Sequence, residues 1–194
     1  MNIIQDNFYW MLYNIVLAVL PIIFGWIMYL AKSKLLKITS GLLWVLFIPN
    51  SIYIFTDIIH LPKDLMAIDK SLSLLVFIQY VILLFAGAIT FILGMHPFNK
   101  LISKVKNKSI RRNRRTILIV ANLLIGFGIV LGRFQETNSW EVFTDIQKVI
   151  SNSIYVATSY KLLTITFLIG VLCNITYFFL IYVLRIRSIR RIYR

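Results

Sequence analysis

Asn50, Tyr53, Asp57 and His60 stand 3, 4 and 3 residues apart, in a stretch otherwise rich in Ile and Phe. At about 100° per residue they form one polar stripe along a helix. Asp57 and His60, one turn apart, are the pair in this chain best suited to hold a divalent metal or to pass a proton. A bland alternative stands beside this one. Asp57 lies near the end of a long apolar run, where a carboxylate can pair with a neighbouring base, and His60 can act as an interfacial hydrogen-bonding residue. Two ligands alone do not make a metal site. An ionisable group within an apolar run is nevertheless a functional candidate by default.

A second dense region runs from Gly126 to Glu141. Asn122, Gly126, Ile129 and Arg133 share one helix face, and Gly128 and Gly132 have the small-residue spacing that permits close helix contact. Arg133 is expected at the same depth as Asp57, as its ion-pair partner, because a lone charge there is costly. Asn138, Trp140, Glu141 and Asp145 follow in a connection. Glu141 and Asp145 have helical i, i+4 spacing. They could fold over the stripe and complete a carboxylate and imidazole set for a hard or borderline metal, or form only a solvated amphipathic loop. The catalytic candidates are therefore Asp57, His60 and Glu141, with Asp57 and His60 as candidate metal ligands. The wider polar site is Asn50, Tyr53, Asp57, His60, Arg133, Asn138 and Trp140.

These residues need elements to carry them, and the composition says which. Of 194 residues, 59% are apolar and only 14% are charged, and the mean hydropathy is +0.82. A soluble domain of this size cannot hide so much apolar side chain. Five runs are long enough to cross about 30 Å of hydrocarbon: roughly 8–30, 35–59, 72–95, 116–134 and 162–184. Period-2 alternation is absent, which argues against a barrel. The predicted fold is an all-α, polytopic bundle of five spans forming a single integral membrane domain over 1–194. The first run is too long, and starts without the basic residues, for a cleavable signal, so it is expected to be a retained span. Pro49 is expected to kink the second span beside Asn50, and Pro62 to end the helix or set its boundary at Leu61.

Charge placement sets the expected orientation. Basic residues fill the first connection (Lys32, Lys34, Lys37), the third (Lys100 to Arg115) and the tail (Arg185 to Arg194), with no acid among them. The seven acids lie at the N-terminus and in the second and fourth connections. Short basic loops stay cytoplasmic, which predicts an N-terminus outside and a C-terminus inside. An even number of spans would place basic segments on both faces. Tyr9, Trp10, Trp140 and Tyr160 fit an outer headgroup belt, and Tyr193 an inner one. The excess of 21 Lys and Arg over 7 Asp and Glu suits anionic lipid on a cytoplasmic face; no nucleic acid partner is expected.

Cys173, the single cysteine, reads as a small buried hydrophobe. His96 is expected at the opposite boundary from His60. Gln79, Asn174, Thr164, Thr166 and Thr176 are explained by interhelical hydrogen bonds. No phosphate loop, dinucleotide fingerprint, zinc-protease motif or nucleophile elbow is present.

Phe47 to Leu61 resembles the pattern F-x-P-N-x-x-Y-x-x-T-D-x-x-H-L, and Leu131-Gly-Arg-Phe134 with Asn138-Ser-Trp140 resembles a second signature, L-G-R-F followed by N-S-W. Both are similar to the bacterial membrane family numbered 1361 among domains of unknown function. Ser51-Ile52 departs from it, where Ala-Pro is expected in many relatives, so the helix should be less broken here. The resemblance implies an integral membrane protein with both motifs near one surface, and implies no activity. Taken together, the residues point to a protein of the bacterial cytoplasmic membrane with an outward-facing polar site. An accessory or structural role is expected, with a homo-oligomer or another membrane protein as possible partner. The alternatives are a small membrane enzyme, metal-dependent or not, acting on a lipid-linked or envelope substrate, and a carrier or channel subunit.

Overall fold

The computed structural model describes residues 3–192, with side chains placed through 184. Tyr193 and Arg194 lie outside the described residues, and so do the side chains of Arg185, Arg187, Arg190 and Arg191. Every regular element among the described residues is helical. The helices are α1 (Ile3–Leu30), α2 (Lys34–Thr56), α3 (Leu61–Met66), α4 (Lys70–Lys104), α5 (Lys108–Arg112), α6 (Arg114–Phe134), α7 (Glu141–Thr144), α8 (Ile146–Thr158) and α9 (Tyr160–Ile192). Five stretches are long and apolar enough to cross a membrane: Ile3–Leu30, Lys34–Met66, Lys70–Lys104, Arg114–Phe134 and Tyr160–Leu184. They match the five predicted spans.

Local chemistry explains the joints. Ser33 caps α2, its hydroxyl accepting from the Leu36 amide, and Asn107 caps α5 through the Ser109 and Ile110 amides. Such caps satisfy amide donors that the first turn cannot pair internally. Pro49 lies inside a continuous α2. The helix boundary expected at Leu61 is there, although Pro62 does not end the apolar stretch, which runs on to Met66. The α-helix tightens into a 3-10 turn at Asp57–His60, and α3 then starts at Leu61 with Pro62 in its first turn, where a missing N–H costs nothing.

Packing divides the chain into two compact units, Met1–Pro97 and Phe98–Arg194. In the first, α1 and α2 pack along their lengths after a short connection at 31–33. Met11, Ala18, Ile54, Val76, Tyr80 and Leu83 form its core. Two buried polar bonds lock the helices in register: Ser51 Oγ donates to the Ala18 carbonyl (3.2 Å), and Trp44 Nε1 donates to the Gly94 carbonyl (2.8 Å). Gly25 makes room for Pro97 and Trp44.

In the second unit α6 lies against α9. The tight approach falls at Gly126, where an added Cβ would stand 2.6 Å from the Gly170 nitrogen. Beside it, Asn122 Nδ2 donates to Asn174 Oδ1 (3.0 Å), with Asn122 fully buried. The face predicted from Asn122, Gly126 and Ile129 is thus the packed one. Val130, Val156 and Leu162 complete this core. The outsides of the long helices carry large exposed apolar side chains, such as Leu12, Val16, Leu75, Ile82, Leu124 and Phe167, as lipid-facing surfaces do.

Candidate functional site

The stripe Asn50, Tyr53, Asp57, His60 does not keep one exposure. Asn50 and Tyr53 are half-buried, Asp57 is buried (3% exposed) and His60 is exposed. The helix tightens to 3-10 geometry over Asp57–His60, which puts residues i and i+3 in line, so the difference in exposure between Asp57 and His60 is not a change of helix face. Asp57 Oδ2 accepts from Asn14 Nδ2 of α1 (3.1 Å). His60 stands edge-on to Trp10 of α1, with ring centroids 6.2 Å apart.

Asp64, on α3, organises the rest. Its Oδ2 accepts from Asn7 Nδ2 of α1 (2.9 Å) and from the Tyr80 hydroxyl of α4 (2.7 Å). Asn7 is itself buried, and its Oδ1 accepts from Trp10 Nε1 (2.9 Å). Trp10 also lies against Tyr80, ring centroids 6.1 Å apart. Gln79 adds one more link, donating from Nε2 to the Ile4 carbonyl (2.9 Å). One carboxylate oxygen therefore joins α1, α3 and α4, and a second carboxylate, Asp57, is tied to α1 about two turns further along. Amides and a phenol, all neutral, supply these donors.

Asn7, Asn14 and Tyr80 had no signal in the sequence that set them apart from other polar residues in apolar runs. Asp64 and Trp10 were visible there only as a loop acid and an interfacial aromatic. Among the described residues, no three His, Cys, Asp or Glu side chains gather as a metal-binding group would require. Asp57 and His60 remain a pair, one buried and one exposed. His96 lies against Trp26, ring centroids 6.0 Å apart. Trp26 is sixteen residues along α1 from Trp10, about 24 Å at 1.5 Å per residue, so the two histidines mark opposite ends of the first unit.

Arg133, Asn138, Trp140 and Glu141 belong to the second unit. Arg133 is half-buried in the last turn of α6. Glu141 accepts from the Asn138 amide through Oε2 (3.0 Å) and pairs with Lys148 Nζ through Oε1 (2.8 Å). The lysine hydrogen bond, with the bonds from Asn138, holds the Glu141 carboxyl below its ordinary range. Trp140 stands at the start of α7. Asp145 does not continue a helix from Glu141. It breaks the chain between α7 and α8 and caps α8, accepting from the Lys148 amide (3.0 Å). Asn152 of α8 closes the connection by donating to Thr137 Oγ1 (2.7 Å). The turn is sharp enough to hold Glu136 at a φ of 48°.

Among the described residues, an all-helical fold with five membrane-length apolar helices, and with the Asp57 and His60 segment at a helix switch, is the class that fold and site define. Residues 13–184 match the family described as protein of unknown function DUF1361. The chain belongs to this family. No curated protein and no solved structure matches it.

Proposed function

We propose that this protein is a non-catalytic accessory bundle of the bacterial cytoplasmic membrane, whose polar cluster clamps the helices of its first unit together near the outer surface. One observation carries this reading. The two donors that converge on Asp64 Oδ2 come from α1 and α4, so the site is spent on joining helices. Carboxylates kept for chemistry are ordinarily aimed at a space a substrate can enter. The outward placement rests on the basic connections lying on the other side of the spans.

The test is thermal unfolding in detergent. Asp64→Ala and Asp57→Ala lower the melting temperature, while His60→Ala leaves it unchanged. Unchanged melting in both aspartate variants would overturn the clamp. Such carboxylates would be retained for transport or chemistry instead.

A carrier-type reading has one observation in its favour: Asp57 and Asp64 both lie within electrostatic reach of Tyr80, as carboxylates along a proton path would. Proton flux in proteoliposomes that vanishes in Asp57→Asn would favour it. The metal-enzyme reading requires stoichiometric divalent metal in the purified protein, lost in both Asp57→Ala and His60→Ala.

A further inference from the structure

The second unit carries an open groove of about 620 Å³ that the polar cluster does not involve. Its floor is one face of α6, at Ile117, Val120, Ala121 and Leu124, with Asn113 just before that helix, and Phe98 contributes from the end of α4. From Asn113 to Leu124 the groove is about 16 Å long at 1.5 Å per residue. That is half of the ~30 Å hydrocarbon thickness, one leaflet deep. Val120 and Leu124 are about half exposed or more. The far end is apolar, and the near end is polar, with Ser109, Asn113 and Thr116.

The near end is also the most basic part of the chain. Eight Lys and Arg occupy positions 100–115 without one acid. Arg114 donates to Asn99, and Arg115 stacks its guanidinium 5.5 Å from the Phe178 ring centroid. Lys106, Lys108, Arg111 and Arg112 are exposed on the turn and on α5.

We infer that this groove is a binding site for an anionic phospholipid, with the phosphate against Ser109 and the α5 arginines and one acyl chain along α6 toward Leu124. Charge complementarity selects the headgroup, and the apolar floor from Ile117 to Leu124, about 10 Å long, selects a bilayer lipid over a free anion. The remaining basic residues of positions 100–115 strengthen the field without touching the chain-binding part.

Native mass spectrometry of delipidated protein, offered phosphatidylglycerol and phosphatidylcholine of matched chain length, tests this. The first bound lipid should favour phosphatidylglycerol roughly tenfold, and Arg111→Gln with Arg112→Gln should abolish that preference. Val120→Trp and Ala121→Trp, two independent ways to fill the floor, should each reduce binding of both lipids several-fold with the charge intact. Inorganic phosphate at the same concentration should not displace the lipid. Equal uptake of the two lipids by the native chain would overturn the site. So would undiminished phosphatidylglycerol binding in correctly folded Trp variants, which would leave only diffuse attraction to a basic surface. Displacement by phosphate would overturn the role of the acyl chain.

Discussion

Asp64 shows how much one oxygen can organise. Asn7 and Tyr80 reach it from helices far apart in sequence, and each bond is to a group that carries charge when ionised. Such bonds contribute about 1.5–3 kcal/mol each. Tyr80→Phe and Asn7→Ala should therefore each destabilise the protein by roughly that amount. The double variant should cost more than the two together, because either donor alone keeps the half-buried carboxylate satisfied and their joint loss does not. The coupling is expected at about 0.5–3 kcal/mol, read from a double-mutant cycle of unfolding in detergent. Strict additivity would mean that Asp64 finds another partner when both are gone. These residues were not legible as a site beforehand. A lone Asn or Tyr in an apolar run says only that some partner exists, and the partner is fixed by helix packing that a single sequence does not encode locally. Asp57 was legible, because an acid inside an apolar run is costly wherever it lies.

Elements were more legible than their pairings. Apolar runs of more than twenty residues announce spans whatever they pack against, and the five appeared where expected. The breaks between them were harder. Pro62 marks a boundary at Leu61 and not the end of the stretch, since proline disfavours the helix before it but suits the first turn of α3. Likewise α8 was hidden inside a connection, although Ile146, Ile150 and Ile154 recur every four residues and lie exposed on one side. Gly128 and Gly132 drew attention by their spacing, whereas the shortest approach is at Gly126 against Gly170. Gly126→Ala forces α6 away from α9 and should cost about 1–3 kcal/mol as overpacking does. It should also weaken the neighbouring Asn122–Asn174 bond, and crosslinking between α6 and α9 should fall with it. A second prediction belongs to the α7–α8 joint. The folded Glu141 carboxyl titrates below its ordinary value of 4.5, so its contribution is fully present above that value and is lost as pH falls through the lower folded one. Amide exchange in α7 and the first turn of α8 should therefore be better protected in the native chain than in Glu141→Gln at neutral pH. The difference should close as the solution is acidified below 4.5. A constant difference across that range would separate joint stability from the Glu141–Lys148 pair.

At the scale of the whole molecule, five spans and the segregation of charge make one claim that can be tested at two points. The second and fourth connections carry the acids, and the first and third carry the bases. If short basic loops stay in the cytoplasm, Ser151, exposed on α8, faces outward, and Ser109, exposed on α5, faces inward. The chain offers a clean background for thiol labelling, because Cys173 is its single cysteine and is 1% exposed. A membrane-impermeant maleimide applied to intact cells should label Ser151→Cys and spare Ser109→Cys until the membrane is opened. The reverse pattern would keep five spans but invert the protein, moving the Asp57 and Asp64 cluster to the cytoplasmic side and the basic groove to the outer leaflet. Labelling of both from one side would break the span count itself, because one membrane-length helix, α6, separates the two positions in sequence. The expected result would put the second and fourth connections outside and the first and third inside, as the charge segregation predicts.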